Sequence, residues 1–199
     1  MNIKKVILGL TLSLLLASGV ASAADYEAAY STYKSGNFKA AFKETLPFAK
    51  QGNVNAQFLI AYMYDNGEGV LENDKAAVKW YTLAAEQGDA VAQNNLGIMY
   101  AGGKGVAEND RVAAKWFIKA AEQGYADAQY NLGLKYVYGE GVLTDNRRAY
   151  MWWNLSAYND GPKRASENKE SVAEQMTPAD ISKAQDMSNI CLESNYTDC

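Results

Sequence analysis

Apolar residues recur at intervals of three and four in two segments separated by a polar stretch that contains glycine. Those of the first segment are Ala56, Ile60, Met63 and Tyr64. Those of the second segment are Ala77, Val78, Trp80, Tyr81, Ala84 and Ala85. This spacing places each set on one face of a helix. It predicts a helix A over about 54–65 and a helix B over about 75–87, joined by a bend.

The helix pair recurs along the chain with a period of 36 residues. The sequence "GEGVLENDKAAVKW" at 67–80 returns as "GKGVAENDRVAAKW" at 103–116 and as "GEGVLTDNRRAYMW" at 139–152. The glycines that mark the bend are Gly67, Gly69, Gly103, Gly105, Gly139 and Gly141. Self-similarity at such a period is typical of stacked supersecondary units. We therefore predict three repeats, at 53–88, 89–124 and 125–160.

Other residues in register define how each repeat is built. Asp74, Asp110 and Asn146 precede helix B and are suited to cap its first turn. Trp80, Trp116 and Trp152 fall on its apolar face and are predicted to pack in the core. Ala61, Gly97 and Gly133 are small residues at one position of helix A, which indicates a close approach of another helix there.

The segments outside the three repeats differ from them. Residues 24–52 have the apolar pattern of a repeat without its long glycine loop, and predict an incomplete N-terminal unit. Residues 161–199 are polar and helical, and predict capping helices that cover the last apolar face. Cys191 and Cys199 are predicted to form a disulfide that pins the tail. We predict one solenoid domain over 24–199.

The N-terminus predicts export. Two lysines, an apolar run over 6–20 and the small residues Ala21 and Ala23 are typical of a secretory signal peptide over 1–23. We therefore expect a periplasmic or secreted protein without a stable membrane anchor. The formal net charge of −4 argues against a nucleic-acid partner, which needs a basic surface.

The glycine loop also has chemical interpretations. A dinucleotide site needs a third glycine and a preceding strand, but Glu72 and a helix stand there. Asp65, Glu68, Glu72 and Asp74 could suggest a calcium loop, yet the next copy has Ala101 and Lys104 in place of the first two. The chain has no histidine, which removes the common nucleophilic pairs and zinc sites. We predict no catalytic residue, metal or cofactor, and a loop that is structural.

The stretch "AQNNLGIMYAGGKGVAENDRVAAKWFIKAAEQG" at 92–124 resembles the Sel-one-like repeat, a relative of the tetratricopeptide repeat. The resemblance implies an all-α, right-handed α/α superhelical solenoid of helix-turn-helix repeats. It implies an adaptor that binds other proteins, and exported bacterial members are tied to envelope maintenance, signalling or host interaction. Cysteine-rich exported members act on β-lactams but carry a disulfide in each repeat, which this chain lacks, so that activity is not expected here.

In tetratricopeptide-like stacks, helix A lines a concave groove. The register then predicts a set of groove-facing residues that bind a protein or peptide of the cell envelope: Tyr26, Tyr30, Tyr33, Asn55, Phe58, Tyr62, Asp65, Asn94, Ile98, Asp127, Tyr130, Leu134 and Tyr138. Aromatic and amide side chains suit such binding, although several of them could instead pack between units. Because tyrosines also stack on sugars, an alternative is a carbohydrate or peptidoglycan-fragment binder. A hydrolase that uses carboxylates is the least favoured function.

Overall fold

The computed structural model describes residues 23–199, and nearly all of the predicted signal peptide lies outside that range. The described residues form ten helices and no strand. These are α1 (Ala23–Lys34), α2 (Phe38–Lys50), α3 (Val54–Asn66), α4 (Asp74–Glu86), α5 (Ala90–Gly102), α6 (Asp110–Ala121), α7 (Ala126–Tyr138), α8 (Asn146–Tyr158), α9 (Arg164–Ala173) and α10 (Pro178–Glu193). Within this part of the chain no helix combines the length and apolar character needed to cross a membrane.

The helices pack as an all-α repeat solenoid. Each A helix (α1, α3, α5 and α7) packs against the B helix that follows it, and each B helix packs against the next A helix. The last two helices break this order, because α9 and α10 both pack against α8. They therefore do not form a further repeat, and both pack against the last B helix.

The glycine loop connects one unit to the preceding one. Gly67 ends α3 in the left-handed conformation, and Gly69 also has a positive φ of 71°. A Cβ on Gly69 would overlap the backbone of Phe38, at the start of the preceding B helix. Gly105 and Gly141 stand in the same relation to Asp74 and Asp110. The second glycine is therefore required for two reasons, its backbone conformation and the close contact between units.

The residue between the two glycines makes a polar contact to the preceding unit. Glu68 accepts a hydrogen bond of 2.8 Å from the Tyr33 hydroxyl. Lys104, one repeat later, lies 2.7 Å from Asp65 and 3.3 Å from Asp74. Lys104, from the next repeat, thus lies within 4 Å of three of the four acidic residues that could suggest a calcium loop, namely Asp65, Glu72 and Asp74. Among the described residues, no group of three or more His, Cys, Asp or Glu could hold a metal ion.

A buried glutamine occupies the same position in three A helices, as Gln57, Gln93 and Gln129. Gln93 donates to the Ala85 carbonyl at 3.0 Å and accepts from Gln123 at 2.7 Å. One repeat earlier, Gln57 donates to the Ala49 carbonyl and accepts from Gln87. One repeat later, Gln129 donates to the Ala121 carbonyl and accepts from Asn159. Each glutamine thus satisfies a carbonyl at the end of the preceding B helix, where helical partners run out.

The predicted caps of the B helices are wrong by one position. The caps of α4, α6 and α8 are Asn73, Asn109 and Asp145, and Asp74, Asp110 and Asn146 are the first helical residues. Asn73, for example, accepts from the Ala76 N–H at 3.0 Å. Both positions carry residues that can cap, so the pattern does not distinguish them. Asp74 and Asp110 instead complement the helix dipole from the first turn.

The tryptophan of the repeat is not its central core residue. Trp152 is buried, and Trp80 and Trp116 are half-buried but pack against the core, as predicted for the repeat tryptophans. The aromatic residue that is buried in every repeat is the next one, namely Tyr81, Phe117 and Trp153. These rings face the small residues of helix A: a Cβ on Gly97 would lie 2.7 Å from the Phe117 ring. The close approach predicted at that helix A position is therefore confirmed.

Candidate functional site: the A-helix face

Three of the predicted groove residues surround two neighbouring clefts. Cleft I, of about 430 Å³, lies between α5 and α7 and has Ile98, Leu134 and Tyr138 in its wall. Cleft II, of about 290 Å³, lies on the other side of α7 between that helix and α9, and shares Leu134 and Tyr138. These two residues therefore form a ridge with a cleft on each side. We call the surface formed by clefts I and II and this ridge the A-helix face.

The floor of each cleft is the buried aromatic residue of a B helix. Phe117 of α6 lies beneath cleft I, and Trp153 of α8 lies beneath cleft II. The Trp153 indole N–H donates to the Tyr130 carbonyl at 3.1 Å, which holds the ring in place against α7. Because these rings are part of the core, the clefts have rigid apolar floors.

The only charged residues in the walls of the two clefts are Lys135 and Glu140, which pair with each other at 2.7 Å. Lys135 is buried and also contacts Asp110 of the preceding repeat at 2.6 Å. Burial by itself would lower the pKa of Lys135, but its hydrogen bonds to the two carboxylates outweigh burial and raise it. Lys135 is therefore charged at neutral pH and has its counter-ions in place.

The predicted residues on the earlier A helices are partly occupied by contacts within the fold. Tyr33 donates to Glu68, and burial, followed by this bond, raises the pKa of its hydroxyl. Asp65 pairs with Lys104. Phe58 packs against Tyr81, with ring centroids 5.9 Å apart. The remaining residues of the set are exposed or half-buried and line neither cleft: Tyr30, Asn55, Tyr62, Asp127 and Tyr130.

Two predicted residues do not lie on an open surface. Tyr26 is buried against Phe48, and burial, with smaller effects of Tyr30 and Glu27, raises its pKa to about 12. Asn94 is buried as well, and accepts a hydrogen bond of 2.9 Å from Asn131 of the next A helix. Both side chains pack between helices. For Tyr26 this is the alternative that the sequence left open for aromatic residues, whereas the prediction that Asn94 faces the groove is wrong.

Helix α9 was not anticipated as part of this face. It contributes Asn168, Ser171 and Val172 to cleft II, and Gln175 follows just after the helix. These four residues have the spacing of one helical face, which is the signal that the sequence offered. Their position opposite α7 could not be read from that spacing, because it depends on how α9 packs against α8.

A further cleft lies elsewhere on the molecule. It has a volume of about 450 Å³ and is lined by the third glycine loop and the first turn of α8, including Leu143 and Arg148. Arg148 is already bonded to the Tyr136 hydroxyl at 3.0 Å. This cleft has no neighbour that shares an apolar ridge with it and contains no predicted groove residue. We therefore place the candidate site on the A-helix face.

The regular units match a known repeat over more than half of the chain, at residues 54–89, 90–125 and 126–161. The chain belongs to the Sel1 repeat family. Each of the three matched Sel1 repeats begins one residue later than the repeat that we predicted from the sequence. Sel1 repeat proteins are generally protein-interaction scaffolds and are typically not enzymes. A comparison with curated proteins found no match.

Solved structures include similar Sel1 proteins. A Sel1 repeat protein from Oxalobacter formigenes is 38% identical, with a TM-score of 0.69 over 72% of this chain and 59% of its own. A protective antigen present in uropathogenic Escherichia coli strains, which displays an SLR fold, is 30% identical, with a TM-score of 0.54 over 85% of this chain and 45% of its own. The chain thus spans less than two thirds of either protein.

The cysteine rich protein B of Helicobacter pylori is similar in fold alone. It is 22% identical, with a TM-score of 0.53 over 65% of this chain and 95% of its own.

The two cysteines of the present chain can pair as a disulfide. Cys191 lies at the end of α10 and Cys199 in the tail, with their Cα atoms 4.7 Å apart. The Tyr196 hydroxyl in the enclosed loop donates to Asn159 at 2.9 Å, which attaches the tail to the third repeat.

Proposed function

We propose that this protein is an exported scaffold that binds a protein or peptide segment of the cell envelope on its A-helix face. The observation that carries the proposal is the pair of clefts on either side of Leu134 and Tyr138. Tyr138 is 67% exposed although it is a large aromatic residue. Exposed apolar residues grouped around concave sites are characteristic of interaction surfaces.

The family favours the same function. Sel1 repeat proteins generally mediate protein interactions, and the similar E. coli protein is described as a protective antigen. A role at the envelope, in its maintenance, in signalling or in contact with a host, agrees with the predicted signal peptide. Export is the part of the proposal that a simple measurement tests.

Cleavage of the signal peptide is expected after Ala23, since small residues at Ala21 and Ala23 meet the requirement of the cleavage site. The protein recovered from the periplasm or the medium should therefore begin at Ala24 when its intact mass is measured. Replacing both alanines by a large residue should retain the uncleaved chain in the membrane fraction. A cytoplasmic protein that still begins at Met1 would contradict the export proposal.

A photo-crosslinking residue at position 138 tests the binding face. We expect it to capture a defined envelope protein in intact cells, because Tyr138 lies in the walls of both clefts. Tyr158 is the matched control: it is also a tyrosine, is 69% exposed, and ends α8 outside the clefts.

The captured protein should then form the same crosslink in a purified mixture, and Ile98→Asp should abolish it. Ile190→Asp is the matched control on α10, since Ile190 is exposed to nearly the same degree as Ile98. Equal capture from positions 138 and 158 would mean that the A-helix face is not the binding surface. A rise in melting temperature with soluble peptidoglycan fragments, and no protein capture, would favour the carbohydrate alternative.

A further inference from the structure

We infer that the B helices present a basic stripe by which the protein lies against a membrane surface of anionic lipids. The stripe consists of six exposed residues, two on each of α2, α4 and α6: Lys39, Lys43, Lys75, Lys79, Arg111 and Lys115. None of them lines cleft I or cleft II. This binding therefore goes beyond the proposed function and does not involve the A-helix face.

The six residues face the same side of the molecule because the units repeat in register. Helices α2, α4 and α6 begin at Phe38, Asp74 and Asp110, and the basic residues are the second and the sixth of each helix. Residues four apart lie on one side of a helix. Each of these helices also contacts the glycine loop of the next unit at its first turn, so successive units pack in the same way. In α8 Arg147 continues the first position, but Met151 at the second is buried, and the stripe ends there.

The arrangement is unfavourable for the helices themselves. A basic residue in the first turn lies at the positive end of the helix dipole, and like charges four residues apart repel each other. Both effects recur in α2, α4 and α6. Within the described part of the chain, none of the six side chains takes part in an ion pair. Neither burial nor pairing explains basic residues at these positions, which an anionic ligand outside the protein would stabilise.

Acidic residues of the same helices do not neutralise the stripe. Asp74 and Asp110 are half-buried, and each pairs with a lysine of the next unit. Two exposed acidic residues remain on α2, α4 and α6, namely Glu44 and Glu86. The whole chain carries a formal net charge of −4, so the stripe is a local excess of positive charge on an acidic protein. A chain with this distribution approaches an anionic surface through the stripe.

A lipid surface suits the stripe better than a protein or a nucleic acid does. Five of the six residues are lysines, which are depleted in protein–protein interfaces. None of the six lines one of the clefts described above, so no concave site selects a particular ligand. Lysine carries a compact charge on a flexible stem, which suits many phosphate groups spread over a surface. The predicted signal peptide directs the chain across a membrane, where lipid headgroups and not nucleic acids are at hand.

Vesicle flotation tests the inference. The purified protein is mixed with vesicles of phosphatidylglycerol and phosphatidylcholine, and separately with vesicles of phosphatidylcholine alone. At low salt we expect the partition coefficient to be at least about tenfold higher for the anionic vesicles, since each basic residue near such a surface strengthens binding. High salt should remove the difference, because it screens the charges.

A triple variant tests whether the stripe is responsible. Combining Lys43→Gln, Lys79→Gln and Lys115→Gln should lower the partition coefficient for anionic vesicles about a hundredfold. Its melting temperature should be unchanged or higher, because one repulsive pair is removed from each helix. The control variant changes to glutamine three exposed lysines outside the stripe: Lys34, Lys163 and Lys183. It should partition within about threefold of the unchanged protein, because only charges close to the lipid surface contribute strongly.

Equal partitioning to both kinds of vesicle, or an equal loss in the stripe and control variants, would overturn the inference. Duplex DNA and a polyglutamate peptide are measured with the same variants. If either binds through the stripe more tightly than the anionic vesicles do, the stripe recognises a nucleic acid or an acidic protein, and the lipid inference is wrong. None of these outcomes depends on the crosslinks at position 138, so the proposed function is tested separately.

Discussion

Replacing Gly105 by alanine is expected to lower the free energy of unfolding by about 3 kcal/mol. Two effects add at this residue. Its φ of 71° lies in the left-handed region, which an L-residue adopts at a cost of about 1–2 kcal/mol. The new Cβ would also overlap the backbone of Asp74, and such overpacking costs about 1–3 kcal/mol. Chemical denaturation followed by circular dichroism gives the value directly.

Gly36→Ala separates the two effects. Gly36 has a φ of 82°, similar to that of Gly105, but a Cβ there would meet nothing within 4 Å. We therefore expect it to cost only about 1 kcal/mol, from the backbone term alone. If both variants lose the same stability, the second glycine of the loop is needed only for its conformation. The contact between units would then contribute nothing measurable.

This contact explains why the glycine loop recurs while its other residues vary. The sequence pattern predicted a bend, because two glycines at a fixed place in each period indicate a backbone conformation that other residues adopt poorly. It did not reveal that the second glycine lies against the preceding B helix, since that neighbour is 31 residues earlier in the chain for the pair Gly105 and Asp74. The period gives the order of helices along the chain, and the contact between units has to be seen in three dimensions.

The candidate site shows the same limit more strongly. The register of helix A was sufficient to predict Ile98, Leu134 and Tyr138, because side chains that face away from the core follow from helical spacing. The same register also placed Asn94 in the groove. It could not show that the Asn94 side chain instead accepts a hydrogen bond from Asn131 of the next repeat. Helix α9 lies beyond the last repeat, where no period remains to assign its neighbours. Its role in cleft II follows only from its packing on α8.

Tyr81→Ala is expected to be the most destabilising of the single changes considered, at about 3–5 kcal/mol. The Tyr81 ring of α4 is fully buried and packs against Phe58 of α3. Truncation would remove this contact and leave a cavity in the centre of the first Sel1 repeat. Trp80→Ala, one residue earlier, should cost only about 1–2 kcal/mol, since that larger side chain is half-buried.

Tyr81→Phe distinguishes packing from hydrogen bonding at this position. The hydroxyl lies 3.5 Å from Asp65, at the outer limit of a hydrogen bond, so its loss should change stability by less than about 1 kcal/mol. All three variants can be compared by thermal and urea unfolding of the purified protein. If Tyr81, and not Trp80, is the main core residue of the repeat, Tyr81→Ala must be clearly less stable than Trp80→Ala. If Trp80→Ala were instead the less stable variant, Trp80 would be the main core residue of the repeat, because removing the side chain with more buried contact area costs more stability.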